Sequence, residues 1–304
     1  MKENELVSII IPTYNRARKL LRAVKSVTDQ SYTYFELIIV DDCSSDNTSQ
    51  IISKLDDTRI KYIRLSQNRG ANYARNVGIK ASRGKFIAFL DSDDEWLPEK
   101  IEMQISAFSE LNNKFGVIYT SFFYISEVKD KHMLKNIANY MKNKRKMKKS
   151  GQLFADLLSF NYVGTTSTIM VRRSALEKIG SFDITLPSCQ DWDLWLRLAK
   201  NFHFKKIEIP LVKYYLSKDS ITMNYVSKIE GYEIIVRKYK KYFKKKQLAN
   251  HYYILSLYNN EINKFEKSLK YILKSMKITL MEAKYYLNVI GIFVKMVKKI
   301  FLKN

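Results

Sequence analysis

The chain has 304 residues, 46% of them hydrophobic, and 53 Lys and Arg against 30 Asp and Glu give a formal net charge of +23. That length can bury one large core plus an appendage, and two cysteines, Cys43 and Cys189, exclude a disulfide-stapled scaffold and fit a reducing cytoplasm. The first apolar run is cut at Pro12, so no secretory leader is read, and no run reaches the roughly 18 to 20 apolar residues of a membrane span; a soluble or peripheral protein is expected.

In chain order, Val7-Ser8-Ile9-Ile10-Ile11 reads as a strand leading to the polar Pro12-Thr13-Tyr14-Asn15. Arg16 to Asp29 then carries Leu20, Leu21, Val24 and Val27 at helical spacing. Phe35 to Val40 is a second apolar run, ending in Asp41-Asp42-Cys43-Ser44-Ser45-Asp46, and Asn47 to Leu55 repeats the helical pattern with Ile51, Ile52 and Leu55. Ile60 to Leu65 forms a third strand, after which Arg69-Gly70 opens a helix through Ala74, Val77 and Ile79 to Ala81. Lys85 to Leu90 runs straight into Asp91-Ser92-Asp93-Asp94 and reads as a central, doubly buried strand. Strand and helix thus alternate at least four times before residue 115, which predicts an α/β fold with right-handed crossovers and one parallel sheet. The polar loops fall on one edge of that sheet, so Tyr14, Asp42 and Asp93 are expected in one crevice.

Asp91 and Asp93 stand two apart in a turn and can face one point. Oxygen ligands at that spacing suit Mg²⁺ or Mn²⁺, which complete their octahedron with water and substrate phosphates. An acidic turn capping the helix that starts near Pro98 is the alternative.

Five ordered segments resemble the motifs of family 2 glycosyltransferases of bacterial surface-polysaccharide or glycolipid type. They are Ser8 to Arg16, Val40 to Asp46, Asn68-Arg69-Gly70 through Ala74-Arg75-Asn76, Asp91 to Asp94, and Asp191-Trp192-Asp193-Leu194-Trp195-Leu196-Arg197, and the resemblance covers about residues 5 to 221. It implies a GT-A fold, Rossmann-like, with a mostly parallel sheet and helices on both faces. It also implies an inverting transfer of one sugar from a nucleoside-diphosphate donor, a UDP-sugar, to a hydroxyl of a glycan or lipid-linked acceptor. Pro12, Thr13, Tyr14 and Asn15 would meet the nucleotide, with the Tyr14 ring free to stack. Asp42 would accept the N–H of a uracil-like base, while capping of the next helix competes as a role for Asp46. Arg75 would brace the acidic motif or the diphosphate. Asp91, with Ser92, would contact ribose or metal-bound water, and Asp93 would ligate Mn²⁺ or Mg²⁺. Asp191, at the head of an amphipathic helix, would be the general base, with Asp193 the competing candidate; Trp192 and Trp195 are expected to pack that helix. Residues near Thr165 to Thr168 would touch the donor sugar.

The chain departs from the resemblance at Ser217, where the family often has a further metal-ligating histidine; His132, His203 and His251 do not match that place. The Gln-x-x-Arg-Trp motif of processive synthases is absent, in keeping with one sugar per encounter. A sugar-phosphate nucleotidyltransferase is disfavoured because its glycine-rich N-terminal loop has no counterpart at Ile11 to Arg18.

Charge divides the chain: net 0 for residues 1 to 128, +8 for 129 to 149, +2 for 150 to 221 and +13 for 222 to 304. The expected organisation is a catalytic domain over 1 to 221, interrupted by a basic loop at 129 to 149, then a basic helical region over 222 to 304. Within that region Leu287, Ile290, Val294, Val297 and Phe301 form one stripe, with Lys295, Lys298, Lys299 and Lys303 elsewhere, a pattern that fits an anionic membrane surface. A peripheral position on the cytoplasmic face of a membrane follows. The alternatives are a helical subdomain packed on the body or on a second copy in a homo-oligomer, and a basic membrane- or nucleic-acid-binding protein with a degenerate site. Nucleic acid is not the expected partner, since the basic segments lack a recognisable binding module.

Overall fold

The computed structural model describes residues 5–126, 147, 149–216, 225–279 and 283–301. The basic loop at 129–149 and Ser217 with Lys218 lie almost wholly outside the described residues. The chain divides into two compact units. The first comprises Met1–Leu157, Asn161–Ile184 and Asp191–Lys218, and the second Leu158–Phe160, Thr185–Gln190 and Asp219–Asn304.

The first unit begins β1 (Val7–Thr13), α1 (Ala17–Thr28), β2 (Phe35–Asp41), α2 (Thr48–Ile52), β3 (Ile60–Arg64), α3 (Ala71–Ala81) and β4 (Phe86–Phe89). It continues through β5 (Glu95–Trp96), α4 (Lys100–Ser109), β6 (Phe115–Ser126), β7 (Ile169–Arg172), α5 (Arg173–Ile179), α6 (Gln190–Asn201) and β8 (His203–Leu216). The eight strands form one sheet in the order β3-β2-β1-β4-β7-β6-β8-β5. β3, β2, β1 and β4 are parallel to one another, as alternation with helices requires. Beyond them β7 runs antiparallel to β4 and β6, and β5 antiparallel to β8, while β6 and β8 are parallel, so the sheet is mostly, not wholly, parallel. The physical reason is that no crossover helix joins β4 to its neighbour β7, so nothing obliges that pair to run parallel.

Period-two alternation assigns the two faces. Val7, Ile9 and Ile11 of β1, with Phe35, Leu37 and Ile39 of β2, pack on Leu20, Ala23, Val24 and Val27 of α1 and on Ile101 and Phe108 of α4. Leu21, counted in the helical pattern, is exposed. The opposite face sets Ile38 and Val40 against Ala74 and Val77 of α3. Helices thus cover both faces, and the strand ends are left to polar loops.

The second unit contains α7 (Tyr225–Tyr239), α8 (Lys245–Glu261), α9 (Phe265–Ile278) and α10 (Ala283–Phe301). Ile272, Tyr285 and Ile292 form its dry centre, with Tyr253, Leu269, Val289 and Met296 packed around them. Buried hydroxyls and an amide tie three helices: Ser256 meets Ser268 at 3.0 Å, and Asn288 donates to Ser256 Oγ at 3.0 Å. His251 is held between the Tyr232 hydroxyl at 2.8 Å and the Leu158 carbonyl at 2.7 Å, so the 158–160 segment belongs here. Burial pushes that imidazole down to about 4, which keeps it neutral. No helix among the described residues is long and apolar enough to cross a membrane.

Gly84, just before β4, tests the packing. A Cβ there would lie 2.6 Å from both the Leu6 carbonyl and the Ser8 amide nitrogen, backbone atoms that cannot rotate away. Gly84→Ala is therefore expected to destabilise the fold by about 1–3 kcal/mol. The check is a lower urea midpoint at unchanged slope.

Candidate active site

The loop after β1 is locked to the loop after β2. Asn15 takes a left-handed backbone, φ 50°, and its Oδ1 accepts the Ser45 amide at 2.8 Å, while its own amide donates to Ser44 Oγ at 2.9 Å. Cys43 is also left-handed, φ 66°, next to Asp42. Non-glycine residues in this region are uncommon and cluster at functional turns. Asp46 accepts the Thr48 amide at 3.1 Å and the Ala17 amide at 3.2 Å, satisfying donors at the starts of two helices. Tyr14 is 45% exposed at the head of this loop, whereas Thr13 is buried.

Asp42 is buried, with one carboxylate oxygen accepting the Arg69 amide at 2.8 Å and the other the Gly70 amide at 2.7 Å. Gly70 has φ 86°, so a side chain at this position would strain the entry to α3. Asp41 is engaged elsewhere, by the Tyr62 hydroxyl at 2.5 Å and the Ser44 amide at 2.9 Å.

Beyond β4 the carboxylates crowd. Asp91 takes a hydrogen-bonded ion pair from Arg75 at 2.6 Å and hydroxyls of Thr166 at 3.0 Å and Thr165 at 3.3 Å. Burial opposes its charge, but Arg75 and the two threonines outweigh that and hold the carboxyl below its ordinary value. Asp93 pairs with Arg16, and its carbonyl accepts Arg22 at 2.8 Å. There burial wins: with Asp91 nearby, it raises the Asp93 carboxyl despite Arg16. Asp94 has no exposed surface; it accepts Ser167 Oγ at 2.6 Å and the Tyr215 amide at 3.1 Å. Burial, then Asp91 and Asp93, push its carboxyl well above the ordinary carboxylate value, against the hydrogen bonds from Ser167 and the Tyr215 amide. Ser92 is buried beside them.

Asp191 opens α6, accepting Asn161 Nδ2 at 2.8 Å and the Trp192 amide at 2.8 Å. Burial raises its carboxyl to about 6, with Asp91 adding to the rise and the Trp192 amide, Arg75 and Asn161 opposing it. Asp193 is different. It has no exposed surface and pairs with Arg197 at 2.8 Å, whose guanidinium also donates to the carbonyls of Ile179, Gly180 and Ser181. Trp192 is buried with its indole N–H on the Leu157 carbonyl at 2.8 Å, and Trp195 has no exposed surface, so both pack.

The structure thus links Asn15, Arg16, Asp42, Arg75, Asp91, Asp93 and Asp191 through one set of strand-end loops. Arg16, Arg22, Asn161 and the raised carboxyl of Asp94 were not assigned from sequence, and Ser167 was read only as part of the 165–168 stretch expected near the donor sugar. Arg16 lies inside a quoted motif, but Asn161 stands 30 residues from its partner in a stretch with no motif.

The profile of Glycosyl transferase family 2 matches residues 8–180. Over 226 residues the chain is 32% identical to the UDP-Glc:alpha-D-GlcNAc-diphosphoundecaprenol beta-1,3-glucosyltransferase WfgD of Escherichia coli, covering 73% of this chain and 81% of that protein. Its fold is similar to that of S. aureus TarS 1-349 in complex with UDP-GlcNAc, with TM-score 0.62 and 20% identity over 94% of this chain and 79% of that one. It is also similar to the mannosyltransferase PcManGT of Pyrobaculum calidifontis in complex with GDP-Man and Mn²⁺, with TM-score 0.61 and 14% identity over 97% of this chain and 87% of that one.

Asp191 and Asp193 should respond oppositely to substitution. A carboxyl raised from 3.8 to about 6 in the fold contributes stability only while protonated, and loses it as pH rises through that window. Asp191→Asn is therefore expected to melt at or above the wild-type temperature at neutral pH, with its advantage growing as pH rises from about 4 to about 6 and level above that. Asp193→Asn removes the acceptor charge of a buried ion pair and should cost about 2 kcal/mol. Thermal melts across pH check both.

Proposed function

Because the chain belongs to glycosyl transferase family 2, we propose that it moves one sugar from a UDP-sugar to a hydroxyl of a glycan or lipid-linked acceptor, inverting the anomeric carbon. Asp191 carries this reading. A carboxylate base that ionises near 6 is charged at neutral pH yet basic enough to take a hydroxyl proton, and it sits within electrostatic reach of Arg75 and Asp91. The acceptor oxygen bonds to the anomeric carbon as its proton passes to Asp191 and the bond to the diphosphate breaks, the electron pair leaving with UDP. One displacement with one base inverts the centre.

The donor side is supported by the loops. Tyr14 offers an exposed ring for the base, and Asp42 shapes the entry to α3 through two amides while each of its oxygens keeps a further lone pair for a uracil N–H. Arg75 keeps Asp91 charged and oriented. UDP as the nucleotide agrees with the names of WfgD and of the TarS complex, and a diphosphoundecaprenol-linked acceptor is named for WfgD.

The residues present fit a divalent cation. Asp91 and Asp93 are partly buried carboxylates close enough to Asp94 to disfavour its charge, and hard cations take such oxygens. Ions of this kind are commonly held by one or two carboxylates together with substrate phosphates. Asp93, with Asp91 beside it, would hold Mn²⁺ or Mg²⁺, which when bound supplies Lewis-acid charge to the leaving diphosphate.

UDP with Mn²⁺ should raise the melting temperature, and Asp93→Ala should remove most of the metal-dependent part of that rise. A shift indifferent to chelator, or larger with GDP than with UDP, would overturn the metal or donor assignment respectively. Asp191→Asn should lose transfer by at least about a hundredfold while keeping the UDP response. In the wild type, transfer should fall as pH drops below about 6, where Asp191 takes up its proton. A pH profile of kcat/KM reads this directly, and an acid limb near the ordinary carboxylate value would reject Asp191 as the base.

A further inference from the structure

α10 carries two apolar faces. Tyr285, Val289, Ile292 and Met296 enter the core of the second unit, with Asn288 bonded inward to Ser256. Leu287, Ile290, Phe293 and Val294 point away from that core and are 68%, 60%, 51% and 48% exposed, with Tyr286 between Phe293 and Ile290 around the helix, 50% exposed. At about 100° per residue these five span an arc of roughly 120°, and the buried set spans the adjoining one. Packing accounts for one face only. Solvent-facing Leu, Ile, Phe and Val contiguous on one helix are a patch of the kind that marks an interaction surface.

We infer that this face is a docking surface for an anionic lipid bilayer, on which α10 lies parallel to the membrane plane. Charge selects the occupant. The sequence from Ala283 to Phe301 contains four lysines and no Asp or Glu, and residues 222 to 304 carry +13. A second copy docking through the same face would bring two such helices together against like-charge repulsion, whereas anionic headgroups attract each lysine near the surface. Lys295 reaches Glu261 at 3.4 Å and is 43% exposed, so it stays at the water-facing side. The helix is too short of apolar residues to cross, which leaves an interfacial position. This inference does not depend on the identity of the donor or on the metal.

Full-length protein is mixed with sedimentable vesicles of phosphatidylglycerol and phosphatidylcholine, or of phosphatidylcholine alone. The wild type should partition to the first at low salt and release as salt shortens the Debye length from about 10 Å at 0.1 M towards about 3 Å at 1 M. The triple variant Leu287→Gln/Ile290→Gln/Phe293→Gln should lose at least about tenfold in partitioning, with melting temperature and UDP response unchanged, because those side chains contribute little to the core. Leu273→Gln, at a 47% exposed position on α9, should bind as the wild type does. Equal binding by the triple variant, or indifference of the wild type to anionic vesicles, overturns the inference. So does binding that is as strong to phosphatidylcholine alone. A dimer in light scattering that the triple variant dissolves, without vesicle binding, would assign the face to a second copy instead.

Discussion

Four carboxylates at the ends of neighbouring elements, Asp91, Asp93, Asp94 and Asp191, crowd into a partly buried crevice where charging all of them at once is costly. Two unit charges about 4 Å apart repel by about 4 kcal/mol at an effective dielectric of 20, so the site must supply cations, donate hydrogen bonds or keep protons. It uses all three devices. Arg75 and two threonines keep Asp91 ionised, Arg16 partners Asp93, and burial beside Asp91 and Asp93 favours the protonated form of Asp94. What remains for Asp191 is an amide from its own helix start and one from Asn161, which leaves its ionisation raised to about 6. The ionisation of Asp191 is set by burial and by what its neighbours have already claimed.

β1, β2 and β4 could be read from sequence because they are buried on both sides and so appear as nearly continuous apolar runs, whereas β3, Ile60–Arg64 at the sheet edge, is only partly buried and interleaves Lys61 and Arg64. The helices between them follow a plain period, with the trimmed α2 as the exception: Asn47 to Leu55 offers only Ile51, Ile52 and Leu55, and five residues are helical. The direction of β7 could not be read, since Ile169–Arg172 is an apolar run like the others and strand direction depends on which edge the chain returns to. β5 is two residues long, and its pairing with Val212 and Lys213 is a tertiary event. Within the site, residue types at motif spacing pointed to the carboxylates, but their ionisation depends on Arg16, Asn161 and Ser167, brought from 30 to 77 positions away.

The pair Asp191 and Asp193 shows why letters alone left the base open. Both stand in the first turn of α6, where a carboxylate is favoured by the helix dipole whatever its role. Two residues apart on a helix, they point to different sides. One side holds Arg197, which binds Asp193 and gathers three carbonyls of the 179–181 turn into a structural clamp. The other faces Asn161, a neutral amide that orients Asp191 without fixing its charge. A guanidinium on Asp191 would have lowered its basicity. An amide lowers it less, since it adds a hydrogen bond without a charge, and that difference separates a residue that holds the fold from one that can accept a proton.

The same logic applies to α10, where the sequence showed one apolar stripe and the structure shows two faces. The Leu287, Ile290 and Val294 stripe has the helical period expected of a core face, yet the core of the second unit is built from Tyr285, Val289, Ile292 and Met296, offset from it around the helix. Periodicity reports that a face is apolar, not what covers it. With the packing requirement of the second unit already met by one face, the other adds nothing to its core and leaves large apolar side chains in water, a cost that folding of this unit does not recover. A helix that keeps such a face while carrying lysines and no carboxylate is matched to a surface that is both apolar beneath and anionic above.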